Sequence, residues 1–191
     1  GVRFIQHAFE GHVEQKNIAM SRANCEFVLS LDADERLSDE LYRSIQALKT
    51  TEDPGDGYTF NRLNNYCGQW IRHGGWYPDR KLRLWRKEKG RWGGPNPHDE
   101  VILDKEANVL HLNGDLLHYT VRSIDEHIEQ IQSFSDIAAR ELVKGGKHSS
   151  LFMVVVSPVF KFVRDFVFKG GFLDGYYRFI IAANSAWAKC L

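Results

Sequence analysis

An apolar run that ends in two carboxylates decides the fold predicted for this chain: Phe27-Val28-Leu29-Ser30-Leu31-Asp32-Ala33-Asp34-Glu35. The run is typical of a buried strand, and the residues from about 12 to 23 before it have a helical pattern. A helix followed by a strand predicts an α/β fold. Side chains at i and i+2 of a strand share a face, and ligands of α/β sheets bind where strands end. We therefore expect Asp32 and Asp34 to lie together at a sheet edge.

Such a pair of carboxylates suits a hard divalent cation. Mg²⁺ and Mn²⁺ prefer oxygen ligands and are commonly held by one or two carboxylates while they bridge substrate phosphates. Asp-x-Asp also occurs in ordinary surface loops, so a plain surface turn remains the alternative interpretation.

Length and composition exclude several classes of protein. The chain has 191 residues, 43% of them hydrophobic and 13% aromatic, so it is neither a mini-protein nor a disordered chain. Lys and Arg together number 25, as do Asp and Glu, which argues against a nucleic-acid partner. The three cysteines include no C-x-x-C pair, which favours a reducing compartment. The sequence predicts no spanning helix and no signal peptide. Because it starts at Gly1 with the strand-like Val2-Arg3-Phe4-Ile5, we expect it to begin inside a larger protein.

Two blocks of opposite charge lie within this neutral total. Residues 62–91 hold nine basic side chains against two acidic ones, and residues 26–40 hold six acidic ones against a single Arg. The basic block predicts a surface that faces an anionic group, although ordinary surface charge explains each block equally well.

Three further places carry residues suited to chemistry. In Asn96-Pro97-His98-Asp99-Glu100, a carboxylate beside a His on a turn has what a general base needs, although a charged surface loop explains it too. The Gly-rich stretch His73-Gly74-Gly75-Trp76-Tyr77 could stack rings on a sugar, and the cations of residues 80–91 could pair with phosphate. His118 is an isolated histidine at the end of a predicted strand. An isolated histidine more often has a structural role than a ligand-binding one.

The middle of the chain is predicted to be loop-rich, and binding residues concentrate in such regions. Ser38 can cap a helix whose inner face is Leu41, Ile45 and Leu48, and residues 53–57 form a turn after it. The strands predicted beyond this turn are Tyr58–Leu63, Lys81–Trp85, Val109–Leu112 and Asp115–Tyr119.

The pattern changes near residue 120, which predicts a domain of residues 1–120 and a helical region of residues 121–191. Ser123 and Glu126 form a capping box for a helix that Gly145-Gly146 ends. Two apolar segments follow, 151–168 and 176–191, broken by Pro158 and Gly170-Gly171. Their basic and aromatic residues suit a helix in the interface of an anionic membrane, and packing on the domain or on another subunit is the alternative.

Together these residues resemble a known family. Gly11, Gln15-Lys16-Asn17 and Ala23, followed by the run 27–35, look like the central part of family 2 glycosyltransferases. The basic block, Asn96-Pro97-His98-Asp99 and the ending Gly170-Gly171-Phe172-Leu173-Asp174-Gly175 look like the bacterial branch that builds the lipopolysaccharide inner core. The resemblance implies a GT-A-like, Rossmann-like α/β fold. It also implies that the usual N-terminal βαβ unit, which holds the nucleotide, is missing before Gly1.

The resemblance also implies roles for individual residues. Asp32, Lys16 and Asn17 would bind a nucleotide-diphospho-sugar donor, and Asp34 would hold Mg²⁺ or Mn²⁺ with His118 as a possible further ligand. Asp99 would be the base of an inverting transfer. The acceptor would be held by Trp76, Arg80 and Arg83.

The implied acceptor is a lipid-linked glycan of the lipopolysaccharide core, and the implied location is cytoplasmic, peripheral on the inner face of the cytoplasmic membrane. A non-catalytic membrane or scaffold module, which binds partners through its acidic block and basic helices, is the competing hypothesis.

Overall fold

The computed structural model describes residues 3–52, 54–94, 99–144 and 151–190. The protein has a mixed α/β fold. Its helices are α1 (His12–Ser21), α2 (Asp39–Leu48), α3 (Ile124–Lys144), α4 (Leu151–Val163) and α5 (Gly175–Trp187). Its strands are β1 (Phe27–Leu29), β2 (Glu35–Leu37), β3 (Gly57–Tyr66), β4 (Gln69–Ile71), β5 (Asp79–Arg86), β6 (Gly90–Gly93), β7 (Glu100–Leu103) and β8 (Val109–Val121).

Most strands belong to a six-stranded sheet with the order β1-β5-β3-β8-β2, and β4 pairs with β3. β1 runs antiparallel to β5, with Val28 opposite Trp85. β6 and β7 form a separate antiparallel pair in which Gly93 is opposite Glu100. The chain divides into two compact units: unit 1 contains residues 1–61 and 80–116, and unit 2 contains residues 62–79 and 117–191. The predicted boundary between residues 120 and 121 falls inside β8 and stays a prediction.

The core of unit 1 forms where α2 covers strand side chains. Leu41 is fully buried with Tyr58, Phe60, Leu84 and Leu116, and Ile45 and Leu48 pack against this cluster. The Ser38 hydroxyl accepts a hydrogen bond from the Leu41 amide at 3.2 Å, which confirms the predicted helix cap.

The predicted break in β8 is wrong, because residues 109–121 form one strand. At Gly114, φ is +98° and a Cβ atom would lie 2.3 Å from the Leu41 amide nitrogen. The glycine therefore lets the strand continue past the start of α2.

The core of unit 2 consists of Tyr66, Ile71, Val121 and Ile181. The Tyr66 hydroxyl lies 2.9 Å from Nδ1 of His127, which is 6% exposed. Burial lowers the pKa of His127, so this ring is neutral at neutral pH. The capping box at the start of α3 is confirmed, since the Glu126 amide donates to Ser123 Oγ at 3.1 Å.

Two other predictions are wrong. Residues 3–5 form no strand, because among the described residues of this N-terminal segment no ladder pairing is made. Pro158 does not break its helix but lies inside α4. A proline removes one hydrogen bond from a helix, and α4 continues past it while packing against α5. Gly145-Gly146, the predicted end of α3, lies outside the described residues, as does Asp53 of the predicted turn.

Among the helices of the described ranges, none is both long enough and apolar enough to cross a lipid bilayer.

Candidate functional site

The two carboxylates that follow β1 lie in a turn of unit 1. β1 ends at Leu29, and the Glu35 amide donates to the Asp32 carbonyl at 3.0 Å. The Glu35 carboxylate in turn accepts from the Asp32 amide at 3.0 Å. The prediction that Asp32 and Asp34 share a strand face is therefore wrong, because the chain has already turned. Asp34 is exposed in this turn, whereas Asp32 is partly buried, with 36% of its side chain exposed.

Arg83, on β5, fixes this turn from the core side. Its Nη2 atom lies 2.9 Å from Asp32 Oδ2 and 3.1 Å from Glu35 Oε1. The side chain of Glu35 is fully buried and that of Arg83 is 8% exposed. A buried charge needs a partner, and the Arg83 guanidinium supplies one for both carboxylates. In the structure the Arg83 guanidinium forms the ion pairs that hold Asp32, and the predicted acceptor binding by Arg83 stays a prediction.

Lys16 connects the turn to a second carboxylate. Its Nζ atom lies 3.1 Å from Asp32 Oδ1 and 2.7 Å from Asp99 Oδ2. The same ammonium group lies 4.2 Å from the centre of the Trp92 ring. The fold thus brings three predicted site residues together, although they come from α1, the turn after β1 and the segment before β7.

Asn17 has a supporting position beside Lys16. Its side-chain amide donates to the Trp92 carbonyl at 2.9 Å, and its oxygen accepts from the Trp92 amide at 3.0 Å. This two-bond contact joins α1 to β6 and so places Lys16 over Trp92. A direct contact of Asn17 with a donor stays a prediction.

The cations around Asp32 control its protonation. Burial raises the pKa of Asp32, but the guanidinium of Arg83 and the ammonium of Lys16 outweigh it, and the net pKa is lowered. Asp32 is therefore ionised at neutral pH and can accept hydrogen bonds from a ligand.

A cavity of about 370 Å³ opens next to this cluster. Its lining includes Lys16, Asp32 and Trp92 together with apolar residues of α1 and β1. Ligand sites usually combine an apolar lining with a few polar groups. This cavity of unit 1 has that composition and is therefore a candidate ligand site.

Asp99 and Glu100 differ in their surroundings. Asp99 is 14% exposed at its side chain and is paired with Lys16, whereas Glu100 is exposed at the start of β7. Only Asp99 belongs to the cluster. Asn96, Pro97 and His98 of the same motif lie outside the described residues.

The other predicted site residues lie elsewhere. Arg80 is exposed at the start of β5 in unit 1. Trp76 and His118 lie in unit 2, where both line a cavity of about 390 Å³. Over the described part of the chain, no group of three or more His, Cys, Asp and Glu side chains is arranged to hold a metal ion. Metal binding by Asp34 and His118 stays a prediction.

Sequence reasoning missed Glu35 and the role of Arg83. Glu35 directly follows the Asp-x-Asp pair, so its position was a usable signal. Nothing local marks Arg83 as the partner of Asp32, because the two residues are 51 positions apart.

Comparison with known proteins supplies an independent observation. No family model matches the chain. The whole chain is 28% identical to 68% of an uncharacterized glycosyltransferase of Rickettsia prowazekii, and 26% identical to 71% of one from Rickettsia felis. Over 97% of its length it is 28% identical to 68% of LpsC, a lipopolysaccharide core biosynthesis glycosyltransferase of Rhizobium meliloti. These relatives support a glycosyltransferase enzyme.

Proposed function

We propose that this protein is an inverting, metal-dependent glycosyltransferase of the GT-A type in family 2, which transfers a sugar from a nucleotide-diphospho-sugar to a lipid-linked glycan of the lipopolysaccharide-core type. One observation carries the proposal: Lys16 joins Asp32 and Asp99 beside a cavity, in a chain whose relatives are named glycosyltransferases.

The donor would occupy the cavity next to Asp32 and Lys16. An ionised Asp32 accepts hydrogen bonds from sugar or ribose hydroxyls, and the Lys16 ammonium offsets negative charge on a diphosphate. Arg83 and Glu35 hold Asp32 in its orientation, so the carboxylate oxygens of Asp32 are positioned before the donor binds.

Asp99 would act on the acceptor. The acceptor hydroxyl oxygen forms a bond to the anomeric carbon while the bond from that carbon to the diphosphate oxygen breaks, and the hydroxyl proton passes to Asp99. The attack and the departure take place on opposite faces of the carbon, which inverts its configuration.

A divalent cation fits the residues on the donor side. Asp34 is an exposed carboxylate next to Asp32, and Mg²⁺ or Mn²⁺ is typically held by one or two carboxylates, with waters and substrate phosphates as its other ligands. When bound, the cation would stabilise negative charge on the departing diphosphate.

The location proposed is the inner face of the cytoplasmic membrane. Unit 2 exposes large apolar side chains on its C-terminal helices. Lys161, Arg164 and Lys169 lie around the buried Asp165 of the same segment. The exposed apolar side chains include Val159, Phe160, Phe168, Leu173 and Tyr176. Apolar groups next to basic ones suit the interface of an anionic membrane, where a lipid-linked acceptor is found. The same surface favours the competing function, a non-catalytic membrane or scaffold module.

Donor binding distinguishes the two functions. The full-length protein is screened by thermal shift against nucleotide-diphospho-sugars with and without Mn²⁺, and Asp32→Asn is compared with Glu88→Gln on the exposed surface of unit 1. We expect one class of donor to raise the melting temperature more with Mn²⁺ than without it, and only when Asp32 is present. Absence of any stabilisation across the panel would support the non-catalytic module.

A further inference from the structure

We propose that the cavity of unit 2 binds one uncharged pyranose unit of the acceptor glycan. This inference rests on the proposed function and identifies the chemistry of the acceptor next to Trp76. The cavity has a volume of about 390 Å³, and its lining includes Arg62, Asn64, Trp76, Asp79, His118 and Thr120. An aromatic ring surrounded by planar hydrogen-bonding groups matches a pyranose, which has C–H faces and an equatorial rim of hydroxyls.

The charges in the cavity favour a neutral sugar over a phosphorylated one. Arg62 donates from Nε at 3.0 Å to Asp79 Oδ2, and its Nη2 atom lies 2.8 Å from the same oxygen. The positive charge is thus offset within the cavity by a carboxylate. A phosphate or a sugar acid would have to compete with Asp79 for this guanidinium, whereas hydroxyl groups can hydrogen-bond to both partners.

The orientation of Asn64 fixes the hydrogen-bonding character of His118. The Trp76 carbonyl can only accept, so the Asn64 nitrogen, at 3.3 Å, faces it. The Asn64 oxygen therefore faces His118 Nδ1 at 2.7 Å, and Nδ1 carries the proton. This hydrogen bond fixes the orientation of the His118 ring at the wall of the cavity.

The loop that carries Trp76 is hydrogen-bonded to the Gly171–Asp174 helical turn and to α5. The buried Asp174 carboxylate accepts from the amides of Arg72 at 2.8 Å and His73 at 2.6 Å, and it lies 2.8 Å from His73 Nδ1. Arg178, which is 1% exposed, donates to the Gly74 carbonyl and lies 5.9 Å from the centre of the Trp76 ring.

Only glycine fits at position 74. Its φ is +71°, and a Cβ atom would lie 1.9 Å from Arg178 Nε. These contacts position Trp76 before any ligand arrives, which lowers the entropic cost of binding.

The test uses fluorine NMR of protein labelled with 5-fluorotryptophan. The chain has five tryptophans, and Trp76→Phe identifies the Trp76 line. The protein is titrated with uncharged methyl pyranosides, with a hexose 6-phosphate and, separately, with nucleotide-diphospho-sugars and Mn²⁺. We expect the Trp76 line to shift with a methyl pyranoside at a Kd on the order of millimolar, as a ligand of about a dozen heavy atoms allows.

Two variants test the polar contacts. Asn64→Ala and His118→Ala should each weaken pyranoside binding about three- to tenfold, while His111→Ala in unit 1 leaves it unchanged. The lines of the other tryptophans show whether each variant is folded. A Trp76 line that stays still with every pyranoside, or that responds only to the phosphorylated hexose, overturns the proposal.

Failure of the subsite and failure of the proposed function give different spectra. A Trp92 line that shifts with a nucleotide-sugar while Trp76 ignores all pyranosides rejects the subsite and leaves the glycosyltransferase in place. A Trp76 response without any response to nucleotide-sugars supports the sugar subsite and rejects the donor site.

Discussion

The ammonium group of Lys16 lies 2.7 Å from the carboxylate of Asp99, a residue 83 positions further along the chain. The same group lies 3.1 Å from Asp32. A cation from the first helix therefore bridges the carboxylate proposed to bind the donor and the carboxylate proposed to accept the acceptor proton. The Lys16 side chain therefore holds the carboxylates of Asp32 and Asp99 close to each other.

Removal of this bridge should weaken donor binding. Lys16→Met leaves two partly buried carboxylates without their shared cation, and hydrogen bonds to charged groups contribute roughly 1.5–3 kcal/mol each. We expect the affinity for the nucleotide-diphospho-sugar to fall about ten- to a hundredfold in calorimetric titrations. Lys105→Met, on an exposed turn of unit 1, is the matched control and should bind like the parent. Parental affinity in Lys16→Met would remove Lys16 from the donor site.

The pH dependence of stability should report on Asp32. Its folded-state pKa is below its ordinary value, because Arg83 and Lys16 outweigh the effect of burial. A lowered pKa gives stability that is fully present above the unfolded-state pKa and is lost as the pH falls through the folded-state pKa. We expect the stability of the parent to fall below about pH 4 and that of Asp32→Asn to fall less steeply there, as measured by urea unfolding. Identical slopes in the two proteins would contradict the ion-pair assignment.

Asp34 provides a separate test of metal dependence. It is exposed on the turn, so Asp34→Asn should leave the fold and the circular dichroism spectrum unchanged. We expect this variant to lose the Mn²⁺-dependent part of donor affinity while binding without metal stays the same. The neighbouring exposed Asp39→Asn serves as the control. Full metal dependence in Asp34→Asn would exclude Asp34 as the metal ligand.

Local features of this chain were predictable from sequence, and long-range pairings were not. The α2 helix was predictable because its cap and its apolar face lie within eleven residues, from Ser38 to Leu48. The strand at 27–29 was predictable from its apolar run, but its end was not, because the Glu35 side chain closes the turn onto the Asp32 amide. The ion pair between Arg83 and Asp32 depends on the register in which β5 pairs with β1, and no local sequence pattern predicts that register.

The exposed apolar surface of unit 2 should bind anionic membranes. Each basic residue near such a surface adds about 1 kcal/mol of attraction, which salt weakens. We expect flotation with anionic vesicles at low salt, with recovery falling as salt rises. Phe168→Ser and Leu173→Ser, at side chains that are 78% and 62% exposed, should reduce recovery without loss of stability. Tyr42→Ser on α2 of unit 1, at a side chain that is 53% exposed, is the matched control and should float like the parent. Equal recovery with neutral and anionic vesicles would instead favour packing of these helices against protein.

The role of Asp99 as the base is the central claim, and the transfer rates of two neighbouring variants test it most directly. Asp99 lies in the Lys16 cluster, whereas Glu100 is exposed on β7. Loss of a positioned base typically lowers a rate about 10²- to 10⁴-fold. In single-turnover assays with saturating donor and the full-length protein, Asp99→Asn should lose transfer by roughly that factor while donor affinity stays near the parental value. Glu100→Gln should stay within a few-fold of the parent. A larger loss in Glu100→Gln than in Asp99→Asn, or mild effects in both, would contradict the account.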